Sequence, residues 1–432
     1  MRILVLGGYG FIGLEVMRRL AAAGHEPVGL GRTVEAGRRL APQFEWIGFD
    51  IATARLPADW LAHLAGIDAV VNCAGALQSG ARDNLEALQH DAMIALFAAC
   101  EAAGVDRFIQ ISAPGASPCA ATEFMRTKGM ADARLRESDL DWIVLKPGLV
   151  IGQNAYGGTA LLRMLAGFPF ILPLVHPKAR VGTVSIRDLT DLVVAAVSPA
   201  FVAGRDIELV ERDAGTLADV ALAFRRWLGF PAPRRVVSLP VWLGAAVGFG
   251  ADALGLLGWR SPLRSTAMAV MAGGIDGDDA AFRAAMRRPV ARLGETLAHL
   301  PATSQERWFS RLSLALPLAI ALLAVFWFLS GLIGFLRFDA ATGLLTTAGF
   351  PGAVSAFAVF AGSLVDMVLG LAILYRPFAR RACLGMLVVS VLYLLAGTTF
   401  LPQLWLDPLG PYMKVLPGTV LAWMTALLLE ER

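Results

Sequence analysis

The 432-residue sequence is short of charge: 17% of its residues are Asp, Glu, Lys or Arg against 56% hydrophobic, too apolar for a soluble globular protein of this length. Its formal net charge of +3 is small and no basic stripe with interleaved aromatics is present, which excludes nucleic acid as a partner. The four cysteines, Cys73, Cys100, Cys119 and Cys383, form no Cys-x-x-Cys pair and no Cys/His cluster at metal spacing. Neither a metal site nor a disulfide framework is expected, and the thiols read as small apolar fillers on the reducing side of a membrane. The opening "MRILVLGG" holds one arginine and a strand-like run ending in glycines, too short for the apolar core of a signal peptide. The first domain is therefore expected in the cytoplasm.

The charge that exists is unevenly placed. About one residue in five is charged before Pro301 and about one in ten from there on, which divides the chain into a soluble part and a membrane part. Four apolar segments follow, at about 312–336, 353–374, 382–401 and 415–429; the first three are long enough to cross a bilayer and the last is marginal. Arg307, Arg311, Arg376, Arg380, Arg381 and Arg432 fall on one side of such a bundle, and Arg337 and Lys414 on the other. The basic excess predicts both termini in the cytoplasm.

What the first half has is glycine in a particular order. The run "RILVLGGYGFIGLEVMRRLAAAGHEPVGLGR" reads as a strand buried on both faces, glycines at 7, 10 and 13, an amphipathic helix stopping at Gly24, and a second strand. Glycines at such a turn let the backbone approach a pyrophosphate, while the helix N-terminus offers free N–H groups and a positive dipole end. The alternative is a tight turn with no ligand. Gly7, Gly10, Phe11, Ile12 and Gly13 are the candidate loop residues.

The spacing is Gly-x-x-Gly-x-x-Gly, and further landmarks follow in chain order: "GFDI" with Asp50, "VVNCAG" with Asn72, Ala74 and Gly75, "RFIQISA" with Ser112, then Lys128, and "LKPGLVIG" with Pro147 and Gly148. Together they resemble the short-chain dehydrogenase/reductase superfamily, particularly its extended and atypical branches. The resemblance implies a doubly wound parallel α/β sheet binding NAD(P). It also implies that Asp50 and Ile51 flank the adenine, that Asn72 ties the fourth strand to the cofactor loop, and that Lys128 binds the nicotinamide ribose. At the end of the second strand, "GLGRTVE" offers Arg32 and no acid until Glu35, which favours NADP(H) over NAD(H). Arg32 lying in solvent and Asp50 merely capping a turn remain open.

The catalytic pattern of that superfamily is incomplete. In Tyr-x-x-x-Lys the tyrosine passes a proton to or from the substrate oxygen, and a serine hydrogen-bonds the reacting carbonyl. Here Ser112 and Lys128 match, but "TEFMRTK" places Phe124 where the tyrosine belongs, and a phenyl ring has no exchangeable proton. General acid–base assistance is commonly worth about 10²–10⁴-fold. Three readings stay open: Tyr156, in "GQNAYGGT", donates instead; hydride transfer proceeds with electrostatic help or water, as in quinone or conjugated-alkene reduction; or the domain binds nucleotide without turning it over.

The stretch from "GTVSIRDLTDLVVAAV" through "GRDIELVE" to "TLADVALAFRRWLG" resembles the small substrate lobe of extended family members, with a helix starting near Asp188. The apolar "LLRMLAGFPFILPLVHPKARVG" could line a pocket for a hydrophobic substrate; His176 within it reads as an ordinary surface residue. Residues 239–259, "LPVWLGAAVGFGADALGLLGW", carry Asp252 and arginines on both flanks, Arg234 and Arg235 before and Arg260 and Arg264 after. That argues against a span and leaves an interfacial helix or a buried helix of the lobe.

The C-terminal part, with "FWFLSGLIGF", "SLVDMVLGLAIL" and "LPQLWLDPLGPYMKVLP", resembles the DoxX-like family of four-helix membrane domains. Asp366 lies within its second span, where an ionisable group should face the bundle interior with a partner. That partner is a structural one, Tyr393, Thr398 or Thr399, or else the residue marks a proton or quinone site. The expected organisation is a dehydrogenase-like domain over 1–235, interfacial or linker helices over 236–305, and an all-α four-helix transmembrane bundle over 306–432. The expected setting is the bacterial inner membrane, with the lipid bilayer, a hydrophobic small molecule and, through the four-helix domain, a membrane protein as candidate partners. The expected activity is an oxidoreductase on a membrane-soluble substrate such as a quinone or isoprenoid; the alternative is an inert nucleotide-binding accessory or redox sensor.

Overall fold

A computed structural model describes residues 1–76, 84–259, 261, 263–408 and 410–430, so Arg260 and Arg432 lie outside the described residues. The chain divides into two compact units, Met1–Asp252 with Ser261–Arg307, and Ala253–Arg260 with Trp308–Arg432.

The first unit is built on strands β1 (Arg2–Leu6), β2 (Glu26–Gly31), β3 (Glu45–Gly48), β4 (Ala69–Asn72), β5 (Arg107–Ile111), β6 (Asp141–Pro147) and β7 (Arg205–Leu209). They form one sheet in the order β3-β2-β1-β4-β5-β6-β7, every pair parallel. Parallel strands covered by helices on both faces must be apolar on both, and Ile3, Leu4, Val5 and Leu6 of β1 are all 0% exposed. One face packs Met17 and Leu20 of the Phe11–Ala22 helix with Leu192 and Val193 of the Ile186–Val197 helix. The other packs Leu96 and Phe97 of the Ala92–Ala103 helix with Ala131 and Leu135 of the Glu123–Arg136 helix. Strand order reverses between β1 and β4, which opens a crevice at the carboxyl ends of the strands, where ligands bind in such sheets.

A smaller apolar cluster holds a lobe beside the sheet, with Leu162, Leu172, Val220, Phe224 and Leu297 at its centre. Short pairs stitch it: Leu149–Ile151 with Thr183–Ser185, Ile171–Leu174 with Arg235–Ser238, and Arg180–Val181 with Gly215–Thr216. One element differs from expectation. The pattern of "GRDIELVE" points to this lobe, yet its Arg205–Leu209 strand is the edge of the main sheet, pairing with Ile143–Pro147. An edge strand is half solvated, so its alternating residues read like those of a lobe strand. The helix expected near Asp188 begins at Ile186, because the Ser185 hydroxyl caps it by accepting from the Arg187 N–H at 3.1 Å. The Val241–Leu256 helix is largely exposed, with Trp242 at 70% and Phe249 at 77%, and does not sit as a buried helix of the lobe.

The second unit is helical. Ser304–Leu336, Gly352–Ala372 and Arg376–Phe400 are long and apolar enough to cross a membrane. The fourth expected segment lies in the Pro411–Leu428 helix, 18 residues with Pro417 inside, and is not among those three. Leu323, Trp327, Ile373, Cys383, Met386 and Ala426 form the inner core. Phe357, Val388 and Leu395 face outward and exposed, as lipid-facing side chains do.

Candidate cofactor site

The glycine loop follows β1 and leads into the Phe11–Ala22 helix, and its geometry explains its composition. Gly7 adopts φ +67°, and a Cβ there would lie 2.9 Å from the Ala74 Cα, so only glycine permits this left-handed close approach. A Cβ on Gly13 would fall 2.2 Å from the Gly7 carbonyl oxygen, which fixes the helix against the loop. Gly10 is the N-cap, in extended conformation with no side chain capping the helix, and its N–H donates to the Gly7 oxygen at 2.8 Å. The first-turn N–H groups of Phe11, Ile12 and Gly13 thus have no intrahelical partner and point out of the helix end, the arrangement that binds a pyrophosphate. The cradle fits a dinucleotide: the places where a side chain would block the approach are those that lack one.

At the end of β2 the Arg32 N–H donates to the Tyr9 hydroxyl at 3.0 Å, and the Arg32 guanidinium lies 3.9 Å from the Asp50 carboxylate, both side chains partly exposed. Asp50 also accepts from the Ala52 N–H at 3.2 Å, capping the Ile51–Thr53 turn, and Ile51 is buried. Tyr9 escaped the sequence reading. Its ring packs where a Cβ on Gly31 would sit, 2.2 Å away, so the glycine ending β2 makes room for it.

Asn72 ends β4, with its side-chain amide donating to Gln110 at 2.8 Å and its side-chain oxygen accepting from the Ala74 N–H at 2.9 Å. It ties β4 to β5 and to the loop that meets Gly7. Gly75 follows, and a Cβ on it would lie 3.7 Å from the Lys128 Nζ. Pro147 closes β6, and the Gly148 N–H donates to the Leu209 oxygen at 2.9 Å.

Lys128 is the buried cation of this end. Its ammonium donates to the Ile111 carbonyl at 2.8 Å and lies 5.8 Å from the centroid of the Phe124 ring, one helical turn back. Burial lowers its pKa, while the Asp132 carboxylate beside it works the other way. Burial pushes the Cys73 thiol up to about 12, so Cys73 is neutral at physiological pH. Ser112 sits just past β5, but its hydroxyl donates to Asp132.

Asp132 is the residue that sequence reasoning missed. It is 0% exposed, and its other carboxyl oxygen has no hydrogen-bond partner among the described residues. Burial raises its pKa, opposed by the Ser112 hydrogen bond and the positive charge of Lys128. The signal was present: 132 is four residues after 128 on one helix, which puts both side chains on one face.

Tyr156 is placed elsewhere. Its ring stacks on Phe11 of the glycine loop, centroids 6.2 Å apart and planes 15° apart, and it is 62% exposed. Among the described residues it hydrogen-bonds neither Ser112 nor Lys128.

Residues 7–170 match the model of an NAD(P)H-binding family, and residues 324–423 match the DoxX-like family. The chain is 27% identical over 250 residues to an NAD(P)H azoreductase of Xenophilus azovorans, covering 57% of this chain and 81% of that protein. It is 30% identical over 150 residues to the photosystem II assembly factor Ycf39 of Synechocystis, covering 34% of this chain and 44% of that one. The fold resembles Bordetella bronchiseptica WbmG in complex with NAD, with TM-score 0.52 at 16% identity over 73% of this chain and 94% of that one. It also resembles an Escherichia coli NADPH-dependent quinone oxidoreductase in complex with NADPH, with TM-score 0.53 at 18% identity over 69% of this chain and 99% of that one. The first part of the chain is thus similar to NAD(P)H-binding proteins and has a Rossmann-type fold, and residues 324–423 are similar to the DoxX-like family, in a region whose helices are long and apolar enough to cross a membrane.

Proposed function

We propose that the chain is a membrane-anchored NAD(P)H-dependent oxidoreductase that reduces a hydrophobic acceptor, a quinone or a similarly conjugated molecule. The observation that carries it is the buried Lys128, kept beside Gly75 and the end of β5 although the tyrosine partner is Phe124. A lysine that costs desolvation is retained where it holds the nicotinamide ribose, and nicotinamide supplies a hydride. An acceptor such as a quinone takes its proton from water once reduced, so the loss of a tyrosine donor does not disable it. Tyr156, stacked at the loop, is the alternative donor. The likeness to an azoreductase agrees with a conjugated acceptor.

NADP(H) is the favoured cofactor in this reading, because an arginine, Arg32, and no acid stands at the end of β2, where it would meet a 2′-phosphate. Arg32→Ala should weaken NADPH binding about tenfold, roughly 1.4 kcal/mol, and NADH binding less than twofold. The basic excess of Arg307, Arg311, Arg376, Arg380, Arg381 and Arg432 over Arg337 and Lys414 supports a cytoplasmic first unit at a bacterial inner membrane.

The test is full-length protein in detergent, given NADPH and a short-chain quinone. NADPH oxidation above the buffer rate is expected, and Tyr156→Phe then shows whether that hydroxyl takes part. Tight NADPH binding with no oxidation of any quinone or azo acceptor overturns the oxidoreductase reading. It would favour the second one, a nucleotide-binding accessory or sensor, which the Ser112 hydroxyl already committed to Asp132 also suits.

A further inference from the structure

The helical unit contains a cavity of about 590 Å³, within the roughly 300–1,000 Å³ of small-molecule pockets. One wall is a single face of the Gly352–Ala372 helix, where Ser355, Ala358, Gly362 and Asp366 recur at helical spacing. Eleven residues separate Ser355 from Asp366, so the cavity runs about 16 Å along that helix. Its walls are almost entirely apolar, and its two polar ends differ.

At the inner end, Asp366 is already engaged: its oxygens accept from Ser330 at 3.1 Å and from Tyr393 at 3.2 Å. Of the partners weighed from sequence, Tyr393 bonds it. Thr399 instead donates to the Leu395 carbonyl, and Thr398 accepts from Trp405. At the outer end, Ser355 is 0% exposed, lines the cavity, and has no hydrogen-bond partner for its hydroxyl among the described residues. An apolar bundle in lipid has no water to satisfy such a group. Around that end stand the rings of Phe350 and Phe400, edge to face at 4.9 Å, and of Tyr412.

We infer that this cavity is a binding site for a lipophilic phenol: a hydroxylated aromatic ring seated among Phe350, Phe400 and Tyr412 and hydrogen-bonded to Ser355, with an apolar tail lying along Ala358 and Gly362 toward Asp366. The site lies within the helical unit and does not depend on the oxidoreductase reading of the first unit. Aromatic walls suit an aromatic head, which packs edge or offset against them. The unmet hydroxyl gives the head its polar contact, and the small Ala358 and Gly362 leave the channel for the tail. A phospholipid acyl chain would fill the apolar length but leave Ser355 unpaired.

The experiment uses the full chain in lipid nanodiscs, with radiolabelled 4-dodecylphenol and dodecylbenzene as probes. Saturable binding of one dodecylphenol per chain is expected, at least tenfold tighter than dodecylbenzene. Ser355→Ala should shrink that ratio to threefold or less, and Ala358→Phe should abolish saturable binding while NADPH binding persists. Partitioning no different from empty nanodiscs overturns the inference. So does equal binding of the two probes, or equal probe selectivity in wild type and Ser355→Ala. Should Ala358→Phe fail to fold, the hydroxyl selectivity and its loss in Ser355→Ala decide.

Discussion

The two ends of the candidate cofactor site are built on different principles. At the glycine loop, the groups on offer are backbone: free N–H groups at a helix start, held by residues that lack side chains. At the end of β5 the groups on offer are side chains, and there the set differs from that of the superfamily the sequence resembles, with Phe124 at the tyrosine position and Asp132 holding the Ser112 hydroxyl. A backbone site tolerates almost no change, because each missing Cβ is a steric requirement. A side-chain site can lose one group and keep the rest.

The sharpest way to test this contrast is at Gly13. Gly13→Val puts a Cβ 2.2 Å from the Gly7 oxygen, which must move the loop or the helix. NADPH affinity should fall at least about 100-fold, roughly 2.7 kcal/mol, measured by calorimetry. Retained affinity would mean that the loop is not the phosphate site.

Lys128→Met comes next. A hydrogen bond to a charged group is worth about 1.5–3 kcal/mol, so nucleotide affinity should drop about 10- to 100-fold. If affinity is unchanged, the lysine serves only the fold, through the Ile111 carbonyl.

These two ends were not equally legible in the sequence. The loop could be read because its signal is glycine spacing after an apolar strand, and Gly7, Gly10 and Gly13 need no tertiary knowledge to be singled out. Asn72 could be read through its position, and its bonds to Gln110 and Ala74 show what that position does. Asp132 could not be singled out as easily: an acid among Arg126, Arg134 and Arg136 looks like part of a solvated helix face, and it is burial that gives it meaning. Tyr9 was hidden in the same way, since its partner Gly31 lies on a different strand. Of the fold, the order of strands and helices was legible, whereas the edge strand Arg205–Leu209 was not. Half-solvated strands carry one pattern wherever they pair.

A smaller effect separates Asp132 from Lys128. In the proposed role Lys128 holds a ribose hydroxyl as a cation and so must be protonated, while burial has lowered its pKa, with Asp132 opposing that shift. Asp132→Asn removes the opposition, so the loss of NADPH affinity on raising the pH should begin at lower pH than in the wild type. Stability carries the opposite sign. A lysine with a lowered folded-state pKa binds fewer protons folded than unfolded, so the nucleotide-free fold gains stability as pH rises from that lowered value to the ordinary lysine value. Affinity and thermal stability titrating in the same direction would show that Lys128 is not the group being observed.

The least effect on quinone turnover is expected from Phe124→Tyr, and it bears most directly on the contrast. The added hydroxyl restores the superfamily pattern one helical turn from Lys128, with the ring already beside the ammonium. If the acceptor takes its proton from water, quinone reduction should change less than threefold, because the new group assists a step that does not limit the rate. A carbonyl acceptor behaves differently: its oxygen needs a proton as the hydride arrives, and general acid assistance is worth about 10²–10⁴-fold. Phe124→Tyr should therefore leave quinone turnover nearly unchanged while revealing carbonyl reduction that the wild type lacks. A large gain on quinones would mean that the missing hydroxyl limits this chemistry after all. No gain on either substrate would locate the defect at Ser112, whose hydroxyl Asp132 keeps from the substrate.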